Sequence, residues 1–232
     1  MRPPARLAVV LLSGLLAACS SGATSGVTQY GVKVVETFDH DPQAYTQGLV
    51  FDQGVLYEGT GLYGRSSLRR IDLTQGETQI HKLPARYFGE GIAVVGDDIV
   101  QLTWKSRVGF VYRKSSLQMM ERFHYRTQGW GLTFDGQHLI MSDGSANLYF
   151  LDPGNYKTVR RLAVTLGGEP LPLLNELEYI DGEIWANVYT EDYIVRIAPE
   201  DGRVTAKIDL GGLYPRDQRP EEGAGLNGIA YD

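Results

Sequence analysis

The residues best suited to chemistry in this sequence open five similar tripeptides: Gln47-Gly48-Leu49, Glu90-Gly91-Ile92, Trp130-Gly131-Leu132, Asn175-Glu176-Leu177 and Asn227-Gly228-Ile229. If the tripeptides mark a repeated structural unit, their first residues occupy equivalent places and converge at one rim. A hairpin turning about six residues after each opener brings the chain back to that rim 14 positions on, which sets Trp104 beside Glu90 and Tyr189 beside Asn175. Aromatic faces suit an ammonium group and the apolar stem of a side chain. A carboxylate among indoles is poorly solvated, so its pKa should rise toward values that suit a proton shuttle. Amides can donate to a carbonyl oxygen as charge develops on it. Repeat openers can equally fill a channel or hydrogen-bond the neighbouring unit, and spacing alone leaves both readings open.

The elements that must position these residues repeat as well. The openers, at positions 47, 90, 130, 175 and 227, are 43, 40, 45 and 52 residues apart. Each of the first four starts a short apolar strand that ends at an Asp/Gly turn: Asp52-Gln53-Gly54, Gly96-Asp97-Asp98, Asp135-Gly136 and Asp181-Gly182. Second strands are expected at residues 55–57, 99–103, 138–141 and 183–188. Third strands are expected at 68–73, 109–113, 147–151 and 193–197, and fourth strands at 78–83, 121–125, 158–164 and 204–210. Four strands per unit of this length is the arithmetic of a β-propeller blade, and no stretch carries helical periodicity. The fold class is therefore all-β, a five-bladed propeller whose fifth blade is incomplete at the C-terminus. Residues 32–38, read as a strand, are expected to complete that blade. The fifth opener, Asn227, lies so close to Asp232 that roughly 30 residues of a blade are missing. The sequence is truncated, or the ring is open, or it is closed by another route.

Composition narrows the class. With 22 Lys+Arg against 28 Asp+Glu, a formal charge of -6 and 43% hydrophobic residues, the chain is neither disordered nor a non-specific nucleic-acid binder. One cysteine excludes a disulfide framework and a cysteine-type zinc site. That residue, Cys19, follows the basic flank of Arg2 and Arg6 and an apolar run at residues 7–18 too short to span a bilayer. Leu16-Ala17-Ala18-Cys19 resembles a bacterial lipoprotein cleavage box. Residues 1–18 are thus read as a signal peptide, Cys19 as the lipid anchor, 19–29 as a flexible tether and 30–232 as the propeller domain. This implies a bacterial envelope protein on the periplasmic side, held at the outer rather than the inner membrane through the lipid alone, and expected to be a monomer.

Several stretches together resemble the plant- and bacterial-type glutaminyl cyclases, the glutamine cyclotransferase family. They are Tyr45-Thr46-Gln47-Gly48-Leu49, Thr60-Gly61-Leu62-Tyr63-Gly64-Arg65-Ser66-Ser67, Tyr87-Phe88-Gly89-Glu90-Gly91, Thr103-Trp104, Gly129-Trp130-Gly131-Leu132, Ser142-Asp143-Gly144, Leu174-Asn175-Glu176-Leu177-Glu178-Tyr179, Trp185-Ala186-Asn187-Val188 and Leu226-Asn227-Gly228-Ile229-Ala230. The resemblance implies a five-bladed propeller that converts the N-terminal glutamine of peptides and proteins to pyroglutamate with release of ammonia. It places the family's catalytic acid on Glu90, its pocket tryptophans on Trp104 and Trp130, and its pocket glutamine and asparagine on Gln47 and Asn175. A third family tryptophan falls on Tyr189, which keeps a flat face and adds a hydroxyl. The family's functional lysine belongs to a Gly-Lys-Leu-Trp-Pro-type segment beyond this sequence, so no lysine is assigned.

The implied reaction requires no cofactor, and the resemblance allows a structural calcium in the channel with no ligands assignable. His40, His81, His124 and His138 lack metal-ligand spacing, and His81 and His124, in fourth strands, read as surface residues. Glu176 and Glu178 are read as facing opposite sides of a strand, with Glu176 a second acidic candidate in the channel. The rival readings are a non-catalytic envelope propeller that binds a peptide terminus or a partner protein, and a propeller hydrolase or lactonase. The last would need several channel carboxylates around calcium, and only Glu90 and Glu176 are available.

Overall fold

A computed structural model describes residues 5–9, 26–74, 76, 78–214, 219 and 225–232. Three short strands precede the repeats: β1 (Ala5–Val9), β2 (Thr28–Tyr30) and β3 (Glu36–His40). Four antiparallel sheets follow, each a meander of consecutive strands. Blade one is β4 (Thr46–Asp52), β5 (Val55–Thr60), β6 (Ser67–Ile71) and β7 (Thr78–Lys82). Blade two is β8 (Gly89–Val95), β9 (Asp98–Thr103), β10 (Val108–Arg113) and β11 (Met119–His124). Blade three is β12 (Leu132–Phe134), β13 (Leu139–Ser142), β14 (Asn147–Leu151) and β15 (Thr158–Ala163). A small hairpin, β16 (Thr165–Leu166) and β17 (Glu169–Pro170), leads to blade four: β18 (Leu174–Ile180), β19 (Glu183–Val188), β20 (Tyr193–Ile197) and β21 (Val204–Asp209). The architecture is an all-β propeller with four blades and no helix among the described residues.

Local chemistry explains the meanders. Gln53-Gly54 and Asp181-Gly182 have positive φ at both positions (50° and 83°, 50° and 86°), the geometry of the two-residue turn that matches strand twist. Between blades the core is apolar. Leu68, Ile92, Ile99 and Phe110 pack between blades one and two, and Leu102, Leu132, Leu139 and Leu151 between two and three. Ile140, Leu148, Leu174, Leu177 and Ile184 fill the space between three and four. Burying each such side chain is worth about 1.5–3 kcal/mol, so these interfaces hold neighbouring blades together.

The first strands approach one another backbone to backbone, which explains the glycine of the repeated tripeptide. A Cβ on Gly48 would meet the amide nitrogen of Ile92 at 2.5 Å, one on Gly91 that of Leu132 at 2.5 Å, and one on Gly131 the carbonyl oxygen of Asn175 at 2.0 Å.

Several expectations need correction. The strand expected at residues 32–38 is Glu36–His40, and it pairs with Ala5–Val9 rather than with a C-terminal strand. Residues 225–232 form no strand, so the described sheets make four blades and not five. Val32 instead packs, with Leu226 and Ile229, against an apolar far face of blade four made of Ile180, Trp185, Ile194, Ile208 and Leu210. Thr28–Tyr30, the start of which was read as tether, lies parallel to β21 on the outer edge of blade four. His124 is exposed as expected, but His81 is half-buried and meets Tyr112 edge-on at 5.1 Å. Strand β3 is fastened to blade one by polar contacts. His40 Nε2 lies 2.8 Å from the buried Glu58, to which Thr46 Oγ1 also donates, and Arg69 pairs with Asp41 at 2.9 Å. Cys19 and the segment around it lie outside the described residues.

Candidate functional site

Equivalent backbone hydrogen bonds bring the predicted residues to one rim. The amide of Gly61 donates to Tyr45 O (2.8 Å), that of Trp104 to Phe88 O (3.0 Å) and that of Tyr189 to Leu173 O (2.8 Å). Each links the residue 14 positions after an opener to the residue two before it, so Trp104 and Tyr189 return beside Glu90 and Asn175 as the spacing required.

At the centre lies Glu90, 2% exposed. Gln47, from blade one, donates through Nε2 to Glu90 Oε2 at 2.8 Å. Gln47 Oε1 in turn accepts from Asn227 Nδ2 at 2.9 Å. Among the described residues no cation pairs with Glu90. Burial therefore holds its pKa well above the usual carboxylate range, and the Gln47 N–H offsets this only in part.

Aromatic rings stand in two groups. Phe88 is flanked by Trp104 (centroids 5.5 Å), Tyr63 (5.5 Å) and Tyr45 (6.2 Å). Trp130 and Tyr189 meet edge to face at 5.7 Å. Gly61 and Gly144 make room for them: a Cβ on Gly61 would strike the Phe88 ring at 2.3 Å, and one on Gly144 the Trp130 ring at 2.7 Å. Trp130 Nε1 donates to Gln128 (3.2 Å), and the Lys105 ammonium sits 3.9 Å from the Trp104 ring centroid. Asn175 is buried, and its Oδ1 has no hydrogen-bond partner.

The structure adds residues that the repeat arithmetic missed. Phe88 is the hub of one aromatic group, and its signal was available: it stands two before an opener, as do Tyr45 and Gln128. Tyr125 fixes the approach to Trp104. Its hydroxyl accepts from Thr103 N (2.9 Å) and donates to Thr103 O, which clamps the residue before the tryptophan.

Glu176 and Glu178 do not face opposite sides. Residues two apart in a strand share a face, and both carboxylates are buried and close enough that Glu178 raises the pKa of Glu176. Glu176 occupies the place that glycine takes in the other tripeptides. Its Oε1 accepts from Leu49 N at 3.1 Å and its Oε2 from Ile229 N at 2.8 Å, so the carboxylate bridges blade four, blade one and the C-terminal segment. Burial pushes Glu178 up to about 8, against the Thr133 hydroxyl and the Tyr231 amide. No cluster of three or more His, Cys, Asp or Glu side chains suited to a metal ion occurs among the described residues.

The chain is similar to known proteins. The glutaminyl-peptide cyclotransferase of Arabidopsis thaliana is 42% identical over 208 residues, 87% of this chain. The chain spans 64% of that relative's length. The crystal structure of Myxococcus xanthus glutaminyl cyclase superposes with a TM-score of 0.83 at 32% identity, covering 89% of each chain. The WD40 β-propeller domain of Doa1, at 12% identity and a TM-score of 0.53 over 76% of this chain and 57% of that one, shares the fold alone. The sequence profile of the glutamine cyclotransferase family matches residues 6–232, and the chain belongs to that family.

Proposed function

We propose that this protein is a glutaminyl-peptide cyclotransferase acting on the N-terminal glutamine of peptides and proteins. The observation that carries the proposal is Glu90: a buried carboxylate with no cationic partner among the described residues, an amide donor at 2.8 Å and a raised pKa, set near two aromatic groups. Glu90 takes a proton from the substrate α-ammonium. The freed amine attacks the side-chain carboxamide carbon, a carbon–nitrogen bond forms, and the original one breaks. Glu90 passes that proton to the leaving nitrogen, which departs as ammonia. The emptied carboxylate takes the second proton of the attacking nitrogen and releases it to the ammonia, leaving a neutral lactam and ammonium. Gln47 holds the Glu90 carboxylate. The unpartnered Asn175 Oδ1 supplies an acceptor that a substrate N–H would satisfy, because a buried acceptor left unmade costs about 1–3 kcal/mol. Trp104, Trp130 and Tyr189 wall the substrate stem and ammonium.

The test is ammonia release and the matching mass loss from a short Gln-terminated peptide. Turnover is expected, and Glu90→Gln should cut kcat by about 10²–10⁴-fold with the fold retained. Binding of the peptide terminus without turnover would replace the enzyme with a recognition propeller.

Two finer proposals accompany this one. The ring has a fifth blade position between blades four and one. In its support, Asn227-Gly228-Ile229 opens there like the other tripeptides, with Gly228 N donating to Asn187 Oδ1 (3.0 Å) and Ile229 N to Glu176. In addition, residues 1–18 are an export signal and Cys19 a lipid anchor that holds the protein at the periplasmic side of the envelope, on the outer membrane. The sequence around Cys19 supports this, and Cys19→Ser should move the protein from the membrane fraction to the soluble one.

A further inference from the structure

Asn227 opens the fifth repeat, yet the reaction above gives it no part. Its contacts form a chain whose direction is set at one end. The two ends of an amide side chain differ only in what they donate or accept, so partners decide which way it faces. Thr46 O is a backbone carbonyl and can only accept. It lies 3.1 Å from Asn227 Nδ2, so that end of Asn227 must be its NH2 group. The same nitrogen is 2.9 Å from one end of the Gln47 amide, which must therefore be the carbonyl oxygen. The other end of Gln47 is then the NH2 group, 2.8 Å from Glu90 Oε2. Each step is forced by the one before it. Asn227 is itself seated by its neighbours, since Gly228 N donates to Asn187 Oδ1 and Ile229 N to Glu176 Oε2.

We propose that Asn227 is a positioning residue that locks the Gln47 amide with its N–H, and not its C=O, against Glu90. The proposal rests on the reading of Glu90 as the proton acceptor. A donor at that distance favours the ionised carboxylate, which is the form able to take a proton from substrate. A Gln47 free to rotate could present its carbonyl oxygen, which pairs only with the protonated acid. Asn227 touches no reacting atom and acts through Gln47. The other titratable groups nearby do not replace this effect. Tyr125, from the segment after β11, spends its hydroxyl on the Thr103 backbone, and Glu176 and Glu178 of β18 are engaged by backbone amides and Thr133.

The test compares Asn227→Ala and the near-isosteric Asn227→Asp, each alone and with Gln47→Met, in the full chain. Aspartate can only accept, so it should turn the Gln47 NH2 toward itself and leave the carbonyl facing Glu90. The readouts are the Glu90 titration midpoint, from carboxylate 13C NMR with Glu90→Gln identifying the signal, and the acid limb of kcat/KM against pH. The midpoint should rise by about one pH unit or more, a tenfold change in proton affinity, and further in the aspartate variant. With Gln47→Met the added effect of Asn227→Ala should vanish, and that of Asn227→Asp should shrink to what its new charge alone exerts. An unmoved midpoint in Asn227→Asp, or an equal shift with Gln47→Met present, overturns the proposal. The aspartate variant decides where the alanine variant does not fold. A wild-type protein without turnover would defeat the enzyme reading alone, because the NMR titration reads Glu90 in either case.

Discussion

Glu90 sits between two opposed influences. Removal from water favours its neutral form, and the Gln47 N–H favours the charged one. Burial is the larger, so the pKa lies well above the ordinary carboxylate range. Because the ionised form accepts the substrate proton, kcat/KM should rise with pH through an acid limb displaced above the usual glutamate value, and this limb should disappear in Glu90→Gln. A limb at the ordinary value would mean that Glu90 is solvated in the free enzyme. Much of the residue-level site was legible beforehand. Equivalence of openers gathered Gln47, Glu90, Trp130 and Asn175, and hairpin length returned Trp104 and Tyr189 to them. What stayed hidden depends on side-chain contact between blades. Phe88 contacts Tyr45 and Tyr63 across the blade boundary; Phe88 and Tyr45 share a repeat position, but Tyr63 has no counterpart in the repeat that would mark the contact.

Among the elements, the first strands of the blades are the most constrained. Gly131 has no room for a Cβ, since the carbonyl oxygen at 2.0 Å belongs to the backbone of the next blade and cannot swing aside. Gly131→Ala should therefore cost about 3 kcal/mol or more in a urea titration. Gly54→Ala, at an open turn with φ of 83°, should cost only about 1–2 kcal/mol. Equal costs would show that the strands can part without penalty. The repeated glycine was visible in the sequence, and its cause lies in this close approach. The exception, Glu176, is visible in the sequence too, and its contacts are not. At its seam the neighbour is not a packed strand, and a carboxylate fills the gap by accepting two backbone amides. Two such bonds are worth about 1.5–3 kcal/mol each. They offset only part of what it costs to bury the charge beside Glu178, so the pKa of Glu176 stays well above the ordinary carboxylate range.

For the whole molecule, buried carboxylates tie stability to pH. Glu178 titrates at about 8 in the fold against an ordinary value of 4.5. A raised folded pKa means that the native state holds a proton which the unfolded chain has released. Its contribution is full below about pH 4.5 and is lost progressively up to about pH 8, at as much as ~1.4 kcal/mol per pH unit. Glu178→Gln should flatten this decline, which melting temperatures between pH 5 and 8 would reveal. An unchanged slope would assign the decline to Glu90 and Glu176, which shift in the same direction.

The seam bridged by Glu176 and Asn227 also sets an order of events. Gln47 and Glu90 meet across 43 residues, whereas Asn227 and Gln47 meet across 180. Loop-closure entropy makes the longer encounter dearer by about 1 kcal/mol before any contact rewards it. The blades can therefore form from local meanders before the C-terminal segment docks. The Gln47 amide receives its orientation only when the C-terminal segment docks. In refolding, the β-sheet signal should return first, and competence at Glu90 should appear only when residues 225–232 dock.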